Sequence, residues 1–151
     1  MIRALCVCFL TLVGIPAAAQ DAGEADGFSE PQIIFPGESL DLNEFLWIKR
    51  PLVVFADSAA DPRYVQQMEF ITDRLDDLAK RDVVVLTDTT PESESDLRTK
   101  LRPRGFMIAL IGKDGEIYLR KPSPWSVREI TRTIDKLPMR QQEIKDRRGE
   151  S

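Results

Sequence analysis

Histidine is absent from this 151-residue chain, and its only two cysteines, Cys6 and Cys8, stand close to the N-terminus. Histidine is the commonest general base near neutral pH and the commonest protein ligand for metals. Its absence excludes Ser-His-Asp and Cys-His catalytic arrangements and histidine-based zinc sites. The side chains left for chemistry are carboxylates, hydroxyls, amides and cations.

The N-terminus has the pattern of a secretory signal peptide. Arg3 provides a positive charge, residues 4–15 are almost entirely apolar, and Ala17 and Ala19 fit a cleavage site with small residues. The apolar run of about 12 residues is shorter than the roughly 20 that cross a bilayer as a helix. We therefore expect cleavage after Ala19, a periplasmic or secreted protein, and no membrane attachment after cleavage. Both cysteines leave with the signal, which excludes a thiol oxidoreductase.

Charge is distributed unevenly along the chain, whose formal net charge is −4. Residues 20–44 contain seven acids and no base, whereas residues 98–151 contain fourteen bases and seven acids. A basic half can indicate a polyanion partner. However, no aromatic residues are interleaved with these bases in a stacking pattern, so we predict no nucleic-acid partner.

Composition divides the chain into four segments. After the signal peptide at 1–19, residues 20–38 are rich in Asp, Glu, Gly and Ala, which is typical of a flexible acidic leader. We place the folded domain at 39–145 and a disordered charged tail at 146–151. The domain is large enough for a hydrophobic core, which must stabilise it without disulfides.

Apolar runs and helix signals alternate through the domain. The run Leu52–Ala56 is typical of a strand buried on both faces, and Asp61-Pro62 is a helix start. The pattern predicts a helix from there to about residue 80 with a core face of Val65, Met68, Ile71, Leu75 and Leu78. Further strands are expected at 83–86, 106–111 and 117–119, a short helix at 94–101, and a capping-box helix from Ser126 that Pro138 ends. Residues 37–47 fit either a helix or a strand.

The resulting order, β-α-β-α-β-β-α, predicts a thioredoxin-like α/β fold. We expect a three-layer sandwich whose central mixed sheet has about four to five strands, with helices on both faces. Other small α/β sandwiches share this pattern, so the order by itself leaves them open.

A thioredoxin-like enzyme carries its cysteines directly after the first core strand, at the start of the next helix. There, the helix N-terminus lowers the pKa of a thiol. In this chain that position is occupied by residues 57–64, which contain no cysteine. The second hallmark, a cis-proline before the hairpin, is replaced by Met107, for which a cis peptide would cost about 3 kcal/mol. We therefore expect a trans peptide and no redox site.

The two segments still predict a groove for an extended peptide of a protein partner. No catalytic, metal or cofactor residue is predicted. The candidate binding residues are Asp57, Ser58, Asp61, Arg63, Tyr64, Gly105, Phe106 and Met107. In a simpler interpretation Asp61 is a helix cap and Arg63 its solvated neighbour. Two other functions stay open: a carboxylate- or metal-dependent enzyme with Asp57 and Asp61 as oxygen ligands, and a structural envelope protein.

Several motifs carry a resemblance to a known family. They are Arg50–Ala56, Asp61–Arg63, Arg81–Val85, the turn Leu110–Gly115 and the ending Ile134–Glu143. Over residues 42–145 the chain resembles the bacterial family called domain of unknown function 4174. The resemblance implies a thioredoxin-like fold without the cysteine pair, and export. The family has no established catalytic residues to carry over.

Two further surfaces have alternative interpretations. Residues 139–143 form either a docking strip or a cover over one edge of the sheet. Trp47 and Trp125 form either an aromatic binding surface or partly buried residues at the edge of the domain, and we expect the second.

Overall fold

The computed structural model describes residues 32–149. The predicted signal peptide and its cleavage site lie outside the described residues. Five strands form one mixed sheet in the order β1-β3-β2-β4-β5. Strands β1, β3 and β2 are parallel to one another, while β4 is antiparallel to β2 and β5 is antiparallel to β4. The strands are β1 (Ile34–Pro36), β2 (Arg50–Phe55), β3 (Val83–Asp88), β4 (Met107–Ile111) and β5 (Ile117–Lys121).

Helices cover both faces of the sheet, as predicted. Three of them begin where a polar side chain satisfies free backbone amides: Asp61 caps α1, Ser95 caps α3, and Ser126 with Glu129 forms a complete capping box for α4. The helices are α1 (Pro62–Thr72), α2 (Leu75–Ala79), α3 (Asp96–Leu101), α4 (Val127–Asp135) and α5 (Pro138–Gly149), with short 3₁₀ helices at Leu42–Phe45 and Pro91–Ser93.

Alternation along the strands divides the core into two clusters, because successive side chains point to opposite faces. The first cluster joins Leu52 and Val54 of β2 to α1, α2 and α4. The second joins Val53 and Phe55 to α3 and to the 3₁₀ helix at Leu42–Phe45. Every residue of β2 is buried, which explains its continuous apolar run. The thioredoxin-like sandwich predicted from the sequence is therefore confirmed.

The structure differs from the predicted segments at both ends. Strand β1 lies inside 20–38, the range assigned to a flexible leader, and pairs in parallel with β3. Its three residues carry no periodicity that could reveal it. At the other end α5 continues to Gly149, into the range assigned to a disordered tail.

The predicted helix of 62–80 is two helices. The Thr72 hydroxyl donates to the carbonyl oxygens of Met68 and Glu69, and Arg74 leaves the helical conformation with φ of −141°. The predicted core face also needs correction at Val65, which is 44% exposed. Gln67, which is fully buried, lies on that face instead.

Candidate functional site

The loop between β2 and α1 holds the first half of the predicted groove. The Asp61 carboxylate accepts the backbone N–H of Arg63 at 2.9 Å and pairs with the Arg63 guanidinium at 2.8 and 3.1 Å. Hydrogen bonds from the Arg63 side chain, and then from its backbone, lower the pKa of Asp61. Both oxygens of Asp61 are thus engaged, as the helix-cap interpretation requires. Asp57 and Ser58 are exposed.

The second half, Gly105–Met107, lies against this loop. Gly105 has φ of +64°, which favours glycine, and a β-carbon there would stand 3.8 Å from Oδ2 of Asp57. The Arg63 guanidinium lies over the Phe106 ring at 5.5 Å from its centre. The eight candidate residues therefore come from two segments that meet. The Met107 peptide is trans, as predicted, in common with the other described peptide bonds of 32–149.

The candidate residues divide by exposure. Asp57, Ser58 and Arg63 face solvent, whereas Phe106 and Met107 are buried. Tyr64 is half-buried and packs against the first core cluster. Phe106 and Met107 nevertheless border an open pocket of about 210 Å³. The pocket is lined by Arg102, Arg104, Phe106, Met107, Arg120, Lys121 and Pro122.

A buried polar cluster that was not predicted from the sequence adjoins the candidate loop. Asp88 ends β3 with a side chain that is fully buried, and it accepts hydrogen bonds from Ser95 at 2.5 Å and from Arg98 at 2.9 Å. Arg98 also donates to the carbonyl oxygen of Ala56, directly before the candidate loop, at 2.9 Å. The cluster fixes the end of β2. An acid at the end of a buried strand is the sequence signal that could have indicated it.

The ending at 139–143 covers one edge of the core. Glu143 binds the guanidinium of Arg50, which is only 1% exposed, at 2.8 and 3.3 Å. It also pairs with Lys113 at 2.9 Å and with Arg140 at 3.1 Å. Burial opposes ionisation of Glu143, but the hydrogen bonds from Arg50, Lys113 and Arg140 outweigh it and lower the pKa of Glu143 to about 2. This part of the family-like motif is therefore a structural clamp between α5 and the sheet.

The two tryptophans differ in their surroundings. Trp125 is half-buried, its backbone N–H and carbonyl oxygen both pair with the Gln67 side chain, and Lys121 lies 4.5 Å from the centre of its ring. Trp47 is 67% exposed, so the expectation that it is partly buried was wrong. Its backbone has φ of +65° and is held by an N–H bond to the carbonyl oxygen of Lys113 at 2.7 Å. That left-handed turn directs the ring away from the core.

Residues 32–149 contain neither a candidate metal site nor a candidate membrane span. No group of three or more Asp, Glu, His or Cys side chains is placed to hold a metal ion in this range. No helix within it is both long and apolar enough to cross a membrane.

Comparison with known proteins identifies relatives in sequence and in structure. The model of the family described as "Domain of unknown function (DUF4174)" matches residues 41–143. Coiled-coil domain-containing protein 80 of Danio rerio is 30% identical in an alignment 133 residues long that covers 68% of this chain. The match covers 15% of that relative, so the chain corresponds to a small part of its length.

Solved structures with the same fold are more distant in sequence. A 2-Cys peroxiredoxin of Plasmodium vivax superposes with a TM-score of 0.54 at 16% identity, over 68% of this chain and 85% of that one. A chloroplastic thioredoxin z superposes with a TM-score of 0.51 at 20% identity, over 68% of this chain and 90% of that one. These similarities show a thioredoxin-like fold.

Proposed function

The chain belongs to the DUF4174 family, and we propose that it is an exported, non-catalytic binding module that docks an extended segment of a partner protein. The docking site is the groove where the loop of residues 57–64 meets Gly105–Met107. The observation that carries this proposal is the open pocket beside the groove, which is lined by Phe106 and Met107 but not by residues 57–64, because it places apolar surface next to a polar and solvated loop. Apolar floors with a few polar groups at the rim are typical of binding sites.

The absence of a reactive group at this place supports binding without catalysis. Ser58 is the residue with a potentially nucleophilic side chain in the loop where a thioredoxin carries its cysteines. The chain contains no histidine to activate its hydroxyl. The Ser58 hydroxyl accepts the backbone N–H of Ala60 at 3.1 Å, which is a local loop contact. Asp61 is neutralised by Arg63. No observation on this loop favours the alternative of a metal-dependent enzyme.

Export is supported by the charged, apolar and small-residue regions of the N-terminus. The chain should be recovered from the periplasmic or extracellular fraction with Gln20 as its first residue. N-terminal sequencing of the fractionated protein checks this. Recovery with Met1 intact in the cytoplasm would contradict the export part of the proposal.

Site-specific photo-crosslinking tests docking at the groove. A photoreactive amino acid at Ala59, an exposed position of the loop, should form adducts with a discrete partner in cells. The same substitution at Arg128, exposed on α4, is the matched control and should form few adducts. If both positions give the same adducts, or Ala59 gives none under several growth conditions, the groove is not a docking site and a structural role is favoured.

A further inference from the structure

The pocket beside the groove has an unusual rim of positive charge. Arg102 and Arg104 follow α3, while Arg120 and Lys121 end β5, and all four line the same pocket of about 210 Å³. The pocket lining contains no acidic side chain.

Most of this charge is left uncompensated by carboxylates. Within residues 32–149, Arg102, Arg104, Arg120 and Lys121 form no ion pair with an Asp or Glu. Arg120 donates to the carbonyl oxygen of Leu101 at 2.8 Å, and Lys121 lies over Trp125. Other cations of the domain, such as Arg50, Arg81 and Arg98, are paired with acids. Among the described residues Arg128 and Arg132 of α4 also form no ion pair, so the rim differs in gathering four such cations at one pocket.

The backbone at Arg102 is a second, independent feature. Arg102 ends α3 with φ of +47°, a left-handed conformation that glycine usually supplies at this position. An arginine there carries a conformational cost that glycine would avoid. In return, this left-handed residue carries a long cationic side chain that is exposed to solvent at the edge of the pocket.

We propose that this pocket binds a peptide segment in which an apolar residue is flanked by acidic residues. The apolar side chain enters the pocket, and the carboxylates on either side of it pair with the cationic rim. The inference rests on the proposed function and specifies the chemistry of the partner. The volume is below the roughly 300 Å³ of the smallest typical ligand pockets and suits one apolar side chain. Met107 and the exposed Pro122 supply apolar lining, the almost fully buried Phe106 adds little surface, and the cationic rim complements negative charge.

A nucleic acid fits the pocket less well. Binding of a single strand uses exposed aromatic faces on which bases stack. Here the Phe106 ring is only 1% exposed, and the Trp125 ring is already covered by Lys121. The apolar floor therefore favours a peptide over a polyanion that offers charge alone.

Fluorescence anisotropy with defined peptides tests the proposal on the full chain. The probe is a labelled peptide that alternates Glu with Leu, and the comparison peptide carries Gln in place of every Glu. We expect the acidic peptide to bind at least roughly tenfold more tightly, and its affinity to fall as salt screens the rim. The double variant Arg102→Gln/Arg104→Gln should weaken binding roughly tenfold, while Arg128→Gln/Arg132→Gln, which removes the same charge from exposed positions of α4, should change it by less than about twofold.

The outcomes separate this inference from the proposed function. Equal binding of the acidic and Gln peptides, or equal losses in the two double variants, overturns the acidic-peptide inference but leaves docking at the groove in place. So does tighter binding of a single-stranded oligonucleotide or of inorganic phosphate than of the acidic peptide. If neither peptide binds while Ala59 still crosslinks to a partner, the inference falls alone. If neither peptide binds and Ala59 forms no adduct, both fall.

Discussion

Replacing Glu143 by Gln tests the clamp that holds α5 against the sheet. The substitution keeps the size of the side chain and removes its charge. The buried Arg50 guanidinium then loses its carboxylate and retains only neutral acceptors, namely the carbonyl oxygen of Arg81 at 2.9 Å and the amide oxygen of the introduced glutamine. Its Nε is already buried without a hydrogen-bond partner among the described residues. The variant therefore leaves a buried positive charge without compensation.

The magnitude follows from two independent lines. Removing one partner of a buried ion pair costs about 3 to 5 kcal/mol, and the lower end applies because Glu143 is 19% exposed. The depression of the pKa of Glu143 from 4.5 to about 2 corresponds to about 3 kcal/mol before any allowance for solvent screening. We expect the free energy of unfolding to fall by about 2 to 3 kcal/mol and the melting temperature by about 10 °C.

The pH dependence has a definite sign. The pKa of Glu143 is lower in the folded state than in the unfolded state, so its contribution to stability is complete above pH 4.5 and is lost as the pH falls toward 2. The stability of the wild-type protein should therefore approach that of the Gln variant as the pH is lowered through this interval. At neutral pH the difference between the two proteins should be largest.

Urea denaturation, followed by circular dichroism at several pH values between 7 and 3, measures these differences. Glu69→Gln, an exposed charge removal on α1, is the control and should change the unfolding free energy by less than about 0.5 kcal/mol. A loss below about 1 kcal/mol at pH 7, or a difference between wild type and Glu143→Gln that is independent of pH, would refute the clamp.

Two further substitutions test the corrected fold. Phe35→Ala, on β1, should lower the unfolding free energy by about 2 kcal/mol in urea denaturation, because Phe35 is half-buried against the second core cluster. An unchanged unfolding free energy would mean that 20–38 is a leader throughout. Trp47→Asn should raise the unfolding free energy by up to about 1 kcal/mol in the same assay, because asparagine tolerates the left-handed backbone and the exposed ring contributes little packing. A clear loss of stability would show that the Trp47 ring makes stabilising contacts.

Local signals in the sequence were sufficient where neighbouring residues determine the structure. The continuous apolar runs of β2 and β3 and the caps at Asp61 and Ser126 each predicted the observed element. The helix pattern of 62–80 predicted its location but not its break, since the break depends on a hydroxyl bond at Thr72 and on packing.

The candidate groove was predicted only as a pair of segments. Residues 57–64 and Gly105–Met107 could be named because the order of elements implied the fold, and the fold implied that they meet. The basic rim could not be named in the same way. Arg102 and Arg104 follow α3 while Arg120 and Lys121 belong to β5, and only strand pairing between β4 and β5 brings them to one pocket.

The sequence by itself determined the absence of histidine, the restriction of cysteine to positions 6 and 8, and the alternation of strands and helices that predicted the thioredoxin-like class. Those properties depend on composition and on short-range periodicity, which the chain displays directly. Tertiary structure alone decided that Ile34–Pro36 joins the sheet, that Arg50 pairs with Glu143 across a separation of 93 residues, and that four cations surround one apolar pocket. Each of these depends on contacts between distant segments, whose partners leave no periodic signal in the sequence around them.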